Sequence, residues 1–223
     1  MNRIDLYTTI HKGVRRTLFE TTLTVAKTDF SSAREHAGAC QSVRDMLDFL
    51  EEHAAHEDEA ILPELANCAP ELLADLRADH SKLDGLQREV AMIVERLADA
   101  PEAERIALGQ RLELRLGRLV AAHLNHQCVE ETDVNRMLWA HRSDEQLLAV
   151  QERIVRSIPA ARLSKWYALV IPALNLRERR ELLAAMRGGI PDEVFEAVTD
   201  AARRELGEDE WTTACSSMEN AEC

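Results

Sequence analysis

The sequence predicts an all-α protein, an up-down-up-down antiparallel four-helix bundle followed by shorter C-terminal helices. Three observations predict it. Turn residues are sparse, with 8 Gly and 6 Pro in 223 residues, whereas a sandwich or barrel needs turn signals every ~8–12 positions. Aromatics make up only 4% of the chain, and Ala, Leu, Glu and Arg dominate, as helical proteins prefer. Apolar residues recur at offsets of three, four and seven through four segments of roughly 25–40 residues, separated by short breaks.

The first segment runs from about Ile4 to Thr28, and Asp29-Phe30-Ser31-Ser32 breaks it. Ser32 is placed to cap the second helix, with Glu35 three residues on completing a capping box. That helix extends to about Asn67 with a kink expected at Pro63. Pro70 suits the first turn of a third helix reaching about Asp99. Ala100-Pro101-Glu102 is the next break, and a fourth helix runs to His141. Shorter helices are predicted at Ser143–Ile158, Pro159–Ala173, Asn175–Arg187 and Pro191–Leu206, the third opening on an Asn175/Glu178 capping box and ending at Gly188-Gly189. The expected organisation is therefore a bundle over residues 1–142, a helical extension over 143–211 and a polar, disordered tail over 212–223.

Charge and cysteines bound the function. With 27 basic against 40 acidic residues the net charge is −13, which repels a phosphate backbone and argues against nucleic acid as partner. No apolar run is long enough to span a bilayer, and the first residues lack the apolar run of a signal peptide. Cys40, Cys68, Cys128, Cys215 and Cys223 are odd in number and lack CxxC spacing. Reduced thiols in a cytoplasm are the expectation.

The histidines carry most of the information. His11 lies in line with Ile4, Tyr7, Val14 and Leu18; His53 follows Met46, Phe49 and Leu50; His80 follows Leu73 and Leu76; His126 sits between Leu119 and Val129. These offsets put one ring on the core-facing stripe of each long helix. His53 and His126 each have a glutamate four residues on, Glu57 and Glu130, and His80 has Asp84. Residues so spaced are neighbours on one helical face and can reach one metal centre. In an antiparallel hairpin, facing residues have their mean position at the turn. The means are 32 for His11 and His53, 68.5 for Glu57 and His80, and 103 for His80 and His126. Each falls within about one residue of a predicted break.

One inward histidine is usually a core residue bonded to a backbone or side-chain partner. Four at one level, with carboxylates, would cost several kcal/mol in desolvation unless a cation accepts them. Imidazoles with carboxylates able to bridge suit Fe, Mn or Zn, and six ligands exceed one tetrahedral zinc.

These motifs resemble the hemerythrin-like proteins, also called the HHE cation-binding domain family. The resemblance rests on His11, on His53-AAHEDEAILP-63, on Asp79-His80 and on His123-LNHQCVEETDVNRML-138, and covers about residues 1–141. It implies a non-haem di-iron centre with an oxo or hydroxo bridge, Zn or Mn being possible substitutes. The implied ligands are His11, His53, Glu57, His80, His126 and Glu130. The order, with two HxxxE pairs, is similar to the bacterial regulatory and iron-sensing branches. Oxygen carriers of the family have HxxxH on the third helix, where this chain has His80 and Asp84. Asp84 therefore either ligates or leaves a more open iron. His56 and His123 lie three residues from a ligand and either support the ligands or ligate themselves. Tyr7 is one turn before His11 and either hydrogen-bonds a bridging ligand or is a plain core residue. His36 and His141 are expected at the surface. Trp166-Tyr167-Ala-Leu-Val-Ile-Pro172 either packs on the bundle or forms a dimer or partner contact. The implied function is binding of, or reaction with, O2, peroxide or nitric oxide, for redox or gas sensing or detoxification. A non-catalytic iron-responsive interaction module and O2 storage are the alternatives.

Overall fold

The computed structural model describes residues 3–187 and 189–215, and no strand occurs among them. The chain divides into two units, one of residues 1–7 and 17–150, the other of residues 8–16 and 151–223.

The first unit contains the bundle. Its helices are α1 (Thr8–Lys27, from Thr17 on), α2 (Ala33–His56), α3 (Pro70–Asp99) and α4 (Glu102–Val129), followed by α5 (Asn135–His141) and the first half of α6 (Asp144–Ser157). The seam of each helix is apolar at three- and four-residue offsets. Val43, Met46 and Leu50 lead to His53; Leu76 leads to His80 and then Leu83, Val90 and Leu97; Leu112, Leu116 and Leu119 lead to His123 and His126. All are buried, and each such aliphatic side chain contributes roughly 1.5–3 kcal/mol through burial. The histidines thus occupy positions that continue an aliphatic seam.

The breaks are fastened by side chains. Ser32 Oγ accepts the Glu35 amide at 3.3 Å, but the Glu35 carboxylate accepts from the Asp29 amide at 3.1 Å instead of returning to Ser32. The cap exists, and the reciprocal half of the box is displaced by three residues. Arg105 at the start of α4 donates to the Phe30 and Ser31 carbonyls at 3.0 and 2.6 Å, pinning that turn. Pro70 opens α3 at its first turn, where its missing amide costs nothing.

Three differences from the expected helices bear on the site. The first helix begins at Thr8 because residues 3–7 form an irregular, bent segment held by side chains. Arg3 donates to the Trp139 and Arg142 carbonyls and to Asp144, each at 2.7 Å, and the Trp139 indole donates to the Ile4 carbonyl at 2.8 Å. The second helix does not run on to Asn67. A π-helical turn, Glu57–Ile61, follows α2, and a 3-10 turn, Leu62–Leu65, accommodates Pro63. The fourth is interrupted in the same way by a π-turn, Glu130–Val134, before α5.

The second unit contains α7 (Ala160–Val170), α8 (Leu176–Met186), α9 (Asp192–Leu206) and α10 (Glu208–Cys215) around Ile171, Leu183, Met186, Val198 and Ala202. The Asn175/Glu178 capping box forms in full. The first turns of α1 belong to this unit. Lys12 pairs with Glu178 at 2.6 Å and Arg16 with Glu205 at 3.0 Å. Gly13 permits a close approach: a Cβ there would lie 2.8 Å from Val170 Cγ2 and 3.2 Å from its Cα. Trp166 and Ile171 are buried, and Tyr167 packs on the unit's own core. The expected tail overlaps α10 as far as Cys215, and residues 216–223 lie outside the described residues.

Two glycines on α4 give a paired prediction. A Cβ at Gly109 would overlap the Phe30 ring, whereas one at Gly117 meets nothing within 4 Å. Gly117→Ala should stabilise by up to about 1 kcal/mol, as expected for an exposed helix interior. Gly109→Ala should instead destabilise, the displaced ring costing about 1–3 kcal/mol. Urea denaturation of both variants checks the opposite signs.

Candidate metal centre

The two HxxxE segments are built alike. The Glu57 amide donates to the carbonyls of His53 and Ala54, and the Glu130 amide to those of His126 and Gln127. Each glutamate carbonyl then accepts the amide five residues on, from Leu62 and Asn135 respectively. Each carboxylate therefore stands where an α-turn gives way to a π-turn. Such single π-turns recur at functional sites because the extra residue re-aims the backbone that follows.

Four buried donors converge. Ligand atoms of Glu57, His80, His126 and Glu130 all lie within 4.8 Å of one another. His80 Nε2 and His126 Nε2 are 2.9 Å apart, with ring planes at 62°. His126 Nε2 lies 3.2 Å from Glu130 Oε1. Glu57 faces two histidines, with Oε1 3.2 Å from His53 Nε2 and Oε2 3.6 Å from His80 Nε2. His11, the candidate on α1, is fully buried.

The electrostatics suit a cation. Burial pushes the Glu130 carboxyl up from 4.5 to about 8; His80 opposes the shift, and the carboxylates of Glu131, Asp58 and Asp79 add to it. Burial also lowers the His126 imidazole, favouring its neutral form. The Tyr7 phenol is raised well above its ordinary value by burial and then by the Glu130, Glu57 and Asp5 carboxylates. Burial and these carboxylates keep it protonated. Neutral imidazoles and buried carboxylates are the donor set that iron, manganese and zinc take.

The secondary candidates separate. Asp84 is exposed and stands outside the converging group. His56 is half-buried beside Glu52 and Glu59, and burial lowers its pKa. His123 is buried next to the group on α4. His141 is exposed, as expected. His36 is not at the surface: it is 8% exposed, with Nδ1 3.1 Å from the Ser32 carbonyl. The offset that brings Ala39 and Val43 inward brings it inward too.

One residue escaped the sequence reading. Asp58 Oδ1 accepts from His80 Nδ1 at 2.9 Å, which fixes the tautomer and turns the Nε2 lone pair to the cluster. Asp58 reads as part of an acidic surface run. Yet its mean position with His80 is 69, at the α2–α3 break, so the midpoint rule would have found it.

No curated relative and no solved structure matches the chain. The model of the hemerythrin HHE cation binding domain matches residues 2–138, more than half of the sequence. That stretch contains both HxxxE segments and the histidines of α1 and α3, and the chain belongs to the hemerythrin HHE cation-binding domain family.

Proposed function

We propose that this is a non-haem di-iron protein that binds or reacts with O2, peroxide or nitric oxide. The ligands are His11, His53, Glu57, His80, His126 and Glu130. Glu57, His80, His126 and Glu130 would hold one ion; His53, beside Glu57, would contribute to a second. The supporting observation is the buried convergence of two imidazoles and two carboxylates. Iron there would supply a coordination position for a small ligand and the electrons to reduce it. Asp58 keeps the His80 lone pair aimed inward. Tyr7 is held by Asp5, which accepts the Tyr7 amide at 2.9 Å and the Asn135 side-chain amide at 3.0 Å. Leu83 and the aliphatic seam exclude bulk water from the carboxylates.

A sensing or reactive role is favoured over O2 storage because α3 contributes His80 to the cluster while Asp84 stands outside it. The expected result is about two iron ions per chain after iron-replete expression, by elemental analysis, with near-ultraviolet charge-transfer absorption when oxidised. Protein free of transition metal under those conditions refutes the reading. Mixing reduced protein with O2 in a stopped flow should give rapid oxidation; a long-lived adduct that releases O2 intact indicates storage instead.

Asp58 gives a second test. Removing a carboxylate that orients a metal-bound histidine typically lowers metal affinity 10–100-fold. Asp58→Asn should do so in a competition titration and leave the helical content unchanged, since Asp58 is 47% exposed.

A further inference from the structure

A small cavity of about 10 Å³ touches the converging side chains, walled by His53, Glu57, His80, Leu83, His123 and His126 and closed by Ala54, Asp84 and Gln87. Its size is that of one water molecule or one diatomic. The first six walls are buried, Ala54 and Gln87 are half-buried, and Asp84 is exposed. The exposed and half-buried part of its lining is therefore on the α2/α3 side. On that side lies a groove of about 550 Å³ between α2 and α3, and Asp84 and Gln87 line it as well. Farther out the groove carries Asp48, Glu51 and Glu95 against Arg44 and Arg88, so with Asp84 its carboxylates outnumber its guanidiniums.

We propose that the α2/α3 groove is the entrance to the metal centre, with Asp84 and Gln87 as the residues that decide what passes. The inference rests on the metal-centre reading above and adds its access route and selectivity. Small cations and neutral diatomics enter; small anions are turned back by the Asp84 carboxylate at the narrowest point. Gln87 sets the width there. Asp84, four residues after His80 on α3, thus acts on ions in transit instead of holding one.

The test uses the full chain and two probes of opposite charge. Cobalt(II) uptake by the metal-free protein is followed by d–d absorption, and azide association by absorbance on the oxidised iron-loaded protein. Asp84→Lys changes the local charge by two. For azide passing at about 8 Å in water, that alters association about fourfold at ~10 mM ionic strength, for divalent cobalt about fifteenfold, and both less at high salt. Azide should therefore bind faster and cobalt more slowly. Glu113→Lys, at an exposed position on α4 outside the groove, makes the same change in net charge and should leave both rates near wild type. Gln87→Trp should slow both probes together. Opposite shifts at Asp84 without matching shifts at Glu113 support the entrance. Equal shifts in both lysine variants, or no shift in either, overturn it. A chain that takes up no cobalt brings down the metal-centre reading; a chain whose uptake is blind to Asp84 and Gln87 brings down the entrance alone.

Discussion

Metal-free protein is expected to lose about 2 kcal/mol of stability between pH 6.5 and pH 8, and metal-loaded protein is not. The cause is Glu130, fully buried and raised from 4.5 to about 8. A carboxyl whose folded pKa exceeds its unfolded value binds its proton more tightly in the native state. Its contribution is fully present below 4.5 and is lost as pH rises through about 8. Within that interval the loss is about 1.4 kcal/mol per pH unit. The window above 6.5 isolates this effect, because His126 is lowered from its ordinary 6.5 and so weakens the fold only on the acid side. A bound cation holds Glu130 ionised and both histidines neutral, so the loaded protein has no such slope and instead loses metal in acid. Denaturant titrations of both forms at pH 6.5, 7.2 and 8 measure it. Glu130→Gln should flatten the metal-free profile. A metal-free wild type as stable at pH 8 as at pH 6.5 would show that Glu130 is not a buried acid awaiting a cation.

Much of this centre could be read before any coordinates because antiparallel helices convert sequence separation into height. His53, His80 and His126 stand on seams whose offsets are local, and their mutual level follows from the positions of Ser32, Pro70 and Pro101, which end or begin helices for local reasons. The π-turns at Glu57 and Glu130 were not legible. A bond from residue i+5 leaves no composition signature, and the helical periodicity before and after each turn reads as one long helix. Asp58 was hidden by the same turn, since an unbroken α-helix between Glu57 and Glu59 presents it as solvated surface. Asp84 lies outside the converging group because the i,i+4 rule describes a shared face and not depth. At that level α3 turns its His80 face inward and leaves Asp84 at the rim. The first helix starts later than expected because Arg3 and Trp139, 136 residues apart, tie the residues before Thr8 into an irregular segment.

Glu57→Ala should have the largest effect of any single substitution, and its size should depend on metal. Glu57 is 3% exposed and its two oxygens face two different histidines, His53 at 3.2 Å and His80 at 3.6 Å. Its removal takes one ligand from each of two ions if the carboxylate is shared, so metal content should fall toward zero and not merely by half. Each ion present at about a hundredfold excess over its Kd stabilises the native state by about 2.7 kcal/mol, and that contribution disappears with it. Without metal the same substitution takes a carboxylate from two buried histidines but also relieves the cost of burying it, so only part of the loaded protein's loss remains. The variant should therefore melt well below wild type when both are loaded, and much closer to it when both are stripped with chelator. His53→Ala separates the ions: it leaves Glu57, His80, His126 and Glu130 in place, and should retain about one ion per chain. Calorimetry with and without chelator, paired with elemental analysis, reads all three quantities. A Glu57→Ala variant that is destabilised equally in both states, with its metal retained, would make Glu57 a structural residue of the α2 terminus and confine the ligand set to the histidines and Glu130.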